Sequence, residues 1–204
     1  MIRLVRDVEL RYGFLQGPRA VADYNLQSGV TFLEGQFGDT YITKLSVHGN
    51  GVLAEANDTT DAIDGFLDDL LVWASDQLGT EIFTELVQRR SYLSQIEVEL
   101  NTGLGEAFAE FVEFGKRIAQ SLKSHGLNAA DFEISQLALH CDLTRLDLPK
   151  PGPSFILSRR DNEPYEKNLY FASAPLSTKD HFGMLTELEE MLAAKISERE
   201  ESST

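Results

Sequence analysis

The residue pair with the clearest chemical potential is His140 with Asp142, two positions apart in a stretch predicted to be a strand. Alternate residues of a strand point to the same face, about 7 Å apart, so an imidazole and a carboxylate could share a proton or a metal ion there. A metal site needs a third ligand, which the sequence does not place beside them. With His181 as a further candidate, these residues define one hypothesis, a hydrolase or transferase.

The alternative for this pair is a solvent-facing strand without chemistry, as in many antiparallel sheets. Cys141 points away from His140, so it cannot form a Cys-His dyad and is predicted to be a small buried apolar residue. Arg89-Arg90 and Arg159-Arg160 lie near tyrosines and could bind an anion, although arginines at strand ends commonly pair with surface carboxylates. Nucleotide-binding, hydrolase and zinc-protease motifs are absent from the sequence, so no cofactor or metal ion is predicted.

The acidity of the chain is its unusual property. The net charge is −15, and residues 61–113 hold twelve acidic residues against two basic ones. Such a field repels nucleic acid and anionic lipid, so neither nucleic acid nor a membrane is expected as a partner. A second hypothesis follows, in which carboxylates imitate nucleic-acid phosphates and inhibit a basic nucleic-acid-binding protein; its residues are Asp68, Asp69, Glu110 and Glu113. The alternative is that acidic helix faces only maintain solubility.

Length and composition predict a globular protein without external staples. An apolar share of 42% in 204 residues supports a sizeable core, and the single cysteine excludes an intramolecular disulfide. Residues 1–196 are predicted to form one α+β domain, followed by a disordered polar tail at 197–204. The first residues lack the apolar core of a signal peptide, and no apolar run approaches about 20 residues, which predicts a cytoplasmic location.

Hydrophobic periodicity predicts three amphipathic helices and about eight strands. The helices are expected at 61–79, capped by Asp61 and Gly79, at 104–124, and at 177–196, opened by a capping box at Ser177 and Asp180. The strands are expected at 8–12, 30–33, 41–47, 52–56, 92–100, 132–144, 155–160 and 168–173. Asn50-Gly51 predicts a tight hairpin. Gly115, on the apolar stripe of the second helix, indicates the close approach of another element.

These elements predict an α+β fold in which a mostly antiparallel sheet of about seven or eight strands carries three helices on one face. Pro149–Pro153 is expected to be a stiff connector and the only internal seam. The leading functional hypothesis is a non-catalytic interaction or assembly module that associates with itself as a homodimer or larger oligomer. Met184 and Met191 support it, because they widen the apolar stripe of the last helix beyond what one sheet contact needs.

Overall fold

The computed structural model describes residues 2–79, 83–128, 132–142, 144 and 153–202. Within these residues the chain is α+β, with five α-helices and seven strands. Its contacts divide it into two compact units, residues 1–90 and 91–204, each with its own antiparallel sheet and hydrophobic core. The α+β class is confirmed, whereas the prediction of one large sheet is wrong. No helix in the described ranges is both long and apolar enough to cross a membrane.

The first unit is a three-stranded meander covered by two helices. Its strand order is β1-β2-β3, and both pairings are antiparallel. The predicted hairpin is confirmed, with His48 opposite Gly51 across the two-residue loop. The elements are α1 (Ile2–Tyr12), β1 (Val30–Phe37), β2 (Thr40–His48), β3 (Gly51–Ala56) and α2 (Thr60–Leu78).

The predicted strand at 8–12 is wrong, because these residues belong to α1. The alternation of apolar and charged residues there fits a strand, but Val5, Val8 and Tyr12 also follow the spacing of a helix. Val8 and Tyr12 are buried in the core, whereas Leu10, which the strand pattern placed beside them, is 72% exposed. The helical period therefore determines which side chains the core accepts.

The helix predicted at 61–79 is confirmed as α2, with a different N-terminal cap. Thr59 is the capping residue, and its hydroxyl accepts a hydrogen bond from the Ala62 amide at 3.3 Å. Gly79 ends the helix in the left-handed conformation, with φ of 60°. Phe66 and Leu70 face the core of this unit and are buried there.

The second unit is a four-stranded antiparallel sheet with three helices. Its strand order is β4-β7-β6-β5, so β7 and β6 are the inner strands. Leu157 and Ala172 from these inner strands are fully buried and pack with Leu185 and Leu192 of the last helix. The elements are β4 (Ser94–Glu99), α3 (Leu104–Ala107), α4 (Ala109–Ser124), β5 (Gln136–His140), β6 (Ser154–Arg159), β7 (Leu169–Ala174) and α5 (Thr178–Ser202).

The helix predicted at 104–124 is interrupted at Phe108, whose φ of −120° and ψ of 49° are not helical. The short segment before the break, α3, buries Leu104 and Ala107. The longer segment after it, α4, buries only Gly115 and Ala119. The prediction of three helices is therefore wrong in number, since this stretch forms two and α1 adds another.

The last helix begins as predicted and ends later. The Ser177 hydroxyl accepts a hydrogen bond from the Asp180 amide at 3.1 Å and donates to its carboxylate at 2.8 Å. The helix α5 continues to Ser202, beyond the predicted end at 196, and the disordered tail at 197–204 stays a prediction. Residues 149–152 of the predicted connector lie outside the described ranges, and the two units divide at residues 90 and 91 instead. A single domain over residues 1–196 stays a prediction.

Another part of the chain approaches α4 closely at Gly115, as the sequence indicated. A larger residue at this position should therefore change the stability of the second unit. A Cβ at this position would lie 2.2 Å from the Phe132 carbonyl oxygen. We expect Gly115→Ala to destabilise the second unit by a net amount of up to about 2 kcal/mol, because an overpacking cost of about 1–3 kcal/mol opposes a helix propensity gain of about 1 kcal/mol. Thermal unfolding followed by far-UV circular dichroism measures this change.

Gly183 in α5 is the matched control. A Cβ there meets no atom within 4 Å, so Gly183→Ala gains helix propensity without a clash. It should stabilise the protein by up to about 1 kcal/mol. Equal effects of the two substitutions would contradict the close contact at Phe132.

Candidate functional site

His140 and Asp142 lie at the exposed end of β5, an edge strand of the second sheet. His140 is the last residue of β5 and pairs with Ser154 across the sheet. The Asp142 carboxylate accepts hydrogen bonds from the Thr144 amide at 3.0 Å and from its hydroxyl at 2.6 Å. These bonds stabilise the ionised carboxylate and lower the pKa of Asp142.

The described residues around this pair do not complete a metal site. Within the part of the chain that the structure describes, no three His, Cys, Asp or Glu side chains are placed to hold a metal ion. Cys141 is exposed, so the prediction that it is buried is wrong; β5 ends one residue before it. The hydrolase or transferase hypothesis has no geometric support at this position and stays a prediction.

His181, the third candidate, is fully buried in the first turn of α5. Its Nδ1 lies 2.7 Å from the hydroxyl of Ser94 in β4, and its ring makes an edge contact with Phe155 of β6 at 6.0 Å. The Nε2 atom is buried and has no hydrogen-bond partner among the described residues. Sequence reasoning missed Ser94, since nothing local links two residues that are 87 positions apart.

The environment of His181 makes it a neutral packing residue. Burial lowers the pKa of His181, because the charged imidazolium would lose its hydration there. A side chain with no exposed surface cannot act with the exposed His140 and Asp142 in one open pocket. The structure therefore does not bring the three candidate residues into one active site.

Three of the four arginines in the two pairs contact groups within their own units. Arg159 is largely buried, donates to the Tyr165 carbonyl at 2.7 Å and stacks on the Tyr165 ring at 4.1 Å. Arg160 pairs with Glu97 at 2.9 Å. Arg90 forms ion pairs with carboxylates of α2. These contacts agree with structural roles rather than with an open anion site.

The carboxylates proposed to imitate phosphates also have cationic partners. Asp69 receives two hydrogen bonds of 2.9 Å from Arg11 and one of 2.7 Å from the buried Tyr12 hydroxyl. Burial, together with the Asp69 hydrogen bond, raises the pKa of Tyr12 and keeps its hydroxyl protonated as a donor. Asp68 pairs with Arg90. The acidic side of α2 is therefore partly neutralised within the first unit.

The same is true of the acidic residues of α4. Glu113 accepts a hydrogen bond from Lys116 at 2.6 Å, and this bond lowers the pKa of Glu113. Glu110 lies 3.8 Å from the ammonium group of Lys195 in α5. A continuous negative surface is thus interrupted by lysines in the second unit, although its net charge remains acidic.

The exposed apolar side chains of α4 form the most distinctive surface of the second unit. Phe111 is 59% exposed and Phe114 is 58% exposed, whereas the residues that α4 buries are the small Gly115 and Ala119. We call one side of this helix the α4 face. It consists of residues at helical spacings of three and four, namely Phe111, Phe114, Ile118 and Leu122.

A second apolar surface follows one side of α5. Met184 is 43% exposed and Met191 is 62% exposed, and the two lie seven residues apart on the same side of the helix. The α5 face consists of Met184, Leu188, Met191 and Lys195. The ammonium group of Lys195 lies 4.9 Å from the Phe108 ring, so the α5 face ends beside the start of α4.

Comparison with protein families, curated proteins and solved structures finds no match for this chain. Function must therefore be inferred from the side chains described above.

Because Asp69 accepts a hydrogen bond from the Tyr12 hydroxyl, substitutions of Asp69 and of its neighbour Asp68 should change the free energy of unfolding by different amounts. We expect Asp69→Ala to lower the unfolding free energy of the first unit by about 1–3 kcal/mol, because the buried Tyr12 hydroxyl loses its acceptor. Asp68→Ala removes an exposed ion pair and should cost less than about 1 kcal/mol. Urea unfolding followed by the fluorescence of Trp73, the only tryptophan, reports on this unit. Equal costs would show that the Tyr12 hydrogen bond contributes little.

Burial of His181 predicts a loss of stability in weak acid. An unfolded histidine has a pKa of about 6.5, and the folded value is lower, so between the two values the unfolded chain binds more protons. The stability contribution is complete above about pH 6.5 and falls as the pH drops toward the folded value, by at most about 1.4 kcal/mol per pH unit. The free energy of unfolding of the second unit measures this loss of stability. It is obtained from urea titrations at several pH values between 7.5 and 5.5, with amide exchange as the signal.

Matched variants assign this effect to its residue. His181→Leu combined with Ser94→Ala removes both polar partners and should abolish the histidine-dependent part of the pH dependence. His140→Gln changes an exposed histidine, so the protein should still lose stability in weak acid to the same extent. If the variant with His181→Leu and Ser94→Ala kept the same dependence of stability on pH, the loss of stability would be assigned to the carboxylates.

Proposed function

We propose that this chain is a non-catalytic protein interaction module that associates with itself through the second unit. The observation that carries the proposal is the exposure of Phe111 and Phe114 on a helix that buries only Gly115 and Ala119. Isolated exposed apolar residues are ordinary, but adjoining aromatic side chains on one helix face indicate a binding surface. The α5 face adds Met184 and Met191, which suit an adaptable contact.

The free energy that these apolar side chains can contribute favours a weak and reversible association. Full burial of a large apolar side chain contributes about 1.5–3 kcal/mol, and these four side chains are about half exposed. Covering them on both copies of a dimer would therefore contribute roughly 6–12 kcal/mol, which exceeds the smallest association cost of about 4 kcal/mol by at most about 8 kcal/mol. A dissociation constant of about micromolar magnitude or weaker follows.

The two alternative functions have less support. Inhibition of a basic nucleic-acid-binding protein would need free carboxylates, but Asp68, Asp69, Glu110 and Glu113 each have a cationic partner in their own unit. Catalysis would need convergence of His140, Asp142 and His181, but two are exposed and the third is fully buried. Both alternatives stay predictions.

Substitution of the aromatic pair tests the proposal. We expect the wild-type chain to show a concentration-dependent mass in sedimentation equilibrium between about 1 and 100 μM. Phe111→Ser combined with Phe114→Ser should weaken the association at least about tenfold, because it removes apolar area that the partner would bury. Since both side chains are exposed, circular dichroism should show an unchanged fold.

The control variant carries Val21→Ser and Leu53→Ser, two exposed apolar positions of the first unit. It loses apolar surface of a similar kind and should associate like the wild-type chain. A chain that remains monomeric over the whole concentration range would overturn the proposed function.

A further inference from the structure

The sheet of the second unit has two edge strands, and only one of them carries charge. β4 and β5 lie at opposite ends of the strand order. β4 contains Glu97 and Glu99, both exposed, whereas β5 has the sequence Gln-Leu-Ala-Leu-His, without a charged residue or a proline. Charged side chains and prolines are the usual means by which proteins prevent edge strands from pairing with another chain. β5 has neither protection.

The edge strands of the first unit differ from β5 in the same way. β1 contains Glu34, and its outer side already forms a bridge between Leu33 and Gln16. β3 contains Glu55. Among the four edge strands within the described ranges, β5 is therefore the one without a charged side chain. In a chain of net charge −15, two copies meet at this edge with the least local repulsion.

The backbone of β5 directs one set of hydrogen-bonding groups away from the sheet. The Arg159 amide donates to the Ser135 carbonyl at 2.8 Å, so the residue before β5 bonds to β6. Residues of an antiparallel pair alternate between bonding to the neighbouring strand and pointing away from it. The odd-numbered residues of β5 thus bond to β6. The outward N–H and C=O groups, which have no backbone partner among the described residues, belong to Gln136, Ala138 and His140.

A second copy of β5 in antiparallel orientation satisfies these outward groups. When a two-fold axis passes beside Ala138, this residue faces the partner's Ala138, and Gln136 faces the partner's His140. Each of these is a hydrogen-bonded pair, which exchanges two backbone hydrogen bonds. All 5 residues of β5 then pair with the same 5 residues of the partner copy, as a two-fold symmetric interface requires.

The side chains that meet across the axis also match. Leu137 faces the partner's Leu139 in a non-hydrogen-bonded pair, where the Cα atoms are about 4.5 Å apart and the side chains are closest. Leu139 is 59% exposed, so the pairing would cover apolar surface that is open in the single copy. On the opposite face, the Gln136 amide lies across from an imidazole, with which it can form a hydrogen bond. No like charges face each other in this register.

We propose that two copies of this chain associate through an antiparallel, two-fold pairing of β5 with β5 about Ala138, which makes one continuous sheet across the dimer. This inference rests on the self-association proposed above and gives it a contact that does not use the phenylalanines of the α4 face. A second copy is the occupant because β5 complements itself at each of its 5 positions. So short a pairing agrees with a weak and reversible dimer.

Ala138→Pro tests the pairing, because it removes an outward N–H group and no hydrogen bond to β6. We expect it to weaken the wild-type dimer at least about tenfold in sedimentation equilibrium between about 1 and 100 μM. Gln95→Pro is the matched control at the opposite edge of the sheet. The Leu100 amide donates to the Asn168 carbonyl beside β7, so by the same alternation the Gln95 N–H points away from β7. This control should leave the dimer unchanged.

Two charge variants test the register and do not depend on how well the sheet accepts proline. A138K alone and A138E alone each place two like charges opposite each other at the two-fold axis, and each should weaken the dimer at least about tenfold. A138K makes the net charge of −15 less negative, so overall repulsion cannot explain its loss. An equimolar mixture should regain the wild-type affinity, because opposite charges then face each other.

Hydrogen exchange, read by mass spectrometry with residue-level fragmentation, gives the direct signature. The amides of Leu137 and Leu139 bond to β6 and should be protected at every protein concentration, which also shows that each variant keeps β5 in its sheet. The outward amides should become protected only as the wild-type concentration rises from about 1 to 100 μM, and they are those of Gln136, Ala138 and His140.

The outcomes separate this inference from the proposed function. A dimer weakened by each substitution of Ala138, restored in the charge mixture and unaffected by Gln95→Pro supports the β5 pairing. A dimer that all variants of Ala138 leave intact overturns the pairing and leaves self-association to the helix faces. Equal losses in the two proline variants also overturn it, because the effect would not be specific to β5. A wild-type chain that is monomeric up to about 100 μM overturns both proposals.

Discussion

The break in the backbone at Phe108 determines which side chains of residues 104–124 reach the core. Before the break, α3 directs Leu104 and Ala107 into the second unit, where both are buried. The Leu104 amide donates to the hydroxyl of the buried Tyr170 at 3.1 Å, which joins α3 to β7. After the break α4 buries Gly115 and Ala119, and Phe111 and Phe114 do not extend the buried stripe. The interruption is therefore one of two constraints on this aromatic surface, and the close contact at Gly115 is the other.

Periodicity predicts elements well where one period dominates and fails where two are present. The α2 stripe fits only a helix, and the stretch around His48 and Gly51 fits only a hairpin; both form as predicted. Residues 8–12 fit a strand and a helix equally, and packing against Phe66 decides in favour of the helix. The stripe over 104–124 is continuous in sequence, so it does not reveal the break at Phe108 or the long-range hydrogen bond from Leu104 to Tyr170.

Long-range ion pairs explain why the candidate surfaces could not be ranked from sequence. Arg11 and Asp69 are 58 positions apart, yet the guanidinium donates three hydrogen bonds to the carboxylate and lies 5.5 Å from the ring centroids of Tyr12 and Trp73. Composition reports the surplus of carboxylates but not which of them have partners. Exposed apolar residues are equally hidden, because the same periodic stripe predicts burial whether or not another element covers it.

Gly115 connects the packing of α4 to its exposed face. The Phe132 carbonyl approaches so closely that a Cβ would lie 2.2 Å from it, so only a glycine can occupy that side of the helix without displacement. Rotating α4 to bury Phe111 and Phe114 would turn a large side chain toward this carbonyl, where no space exists for it. The close contact therefore fixes the rotation of the helix, and that rotation leaves the two phenylalanines directed toward solvent and available to a partner.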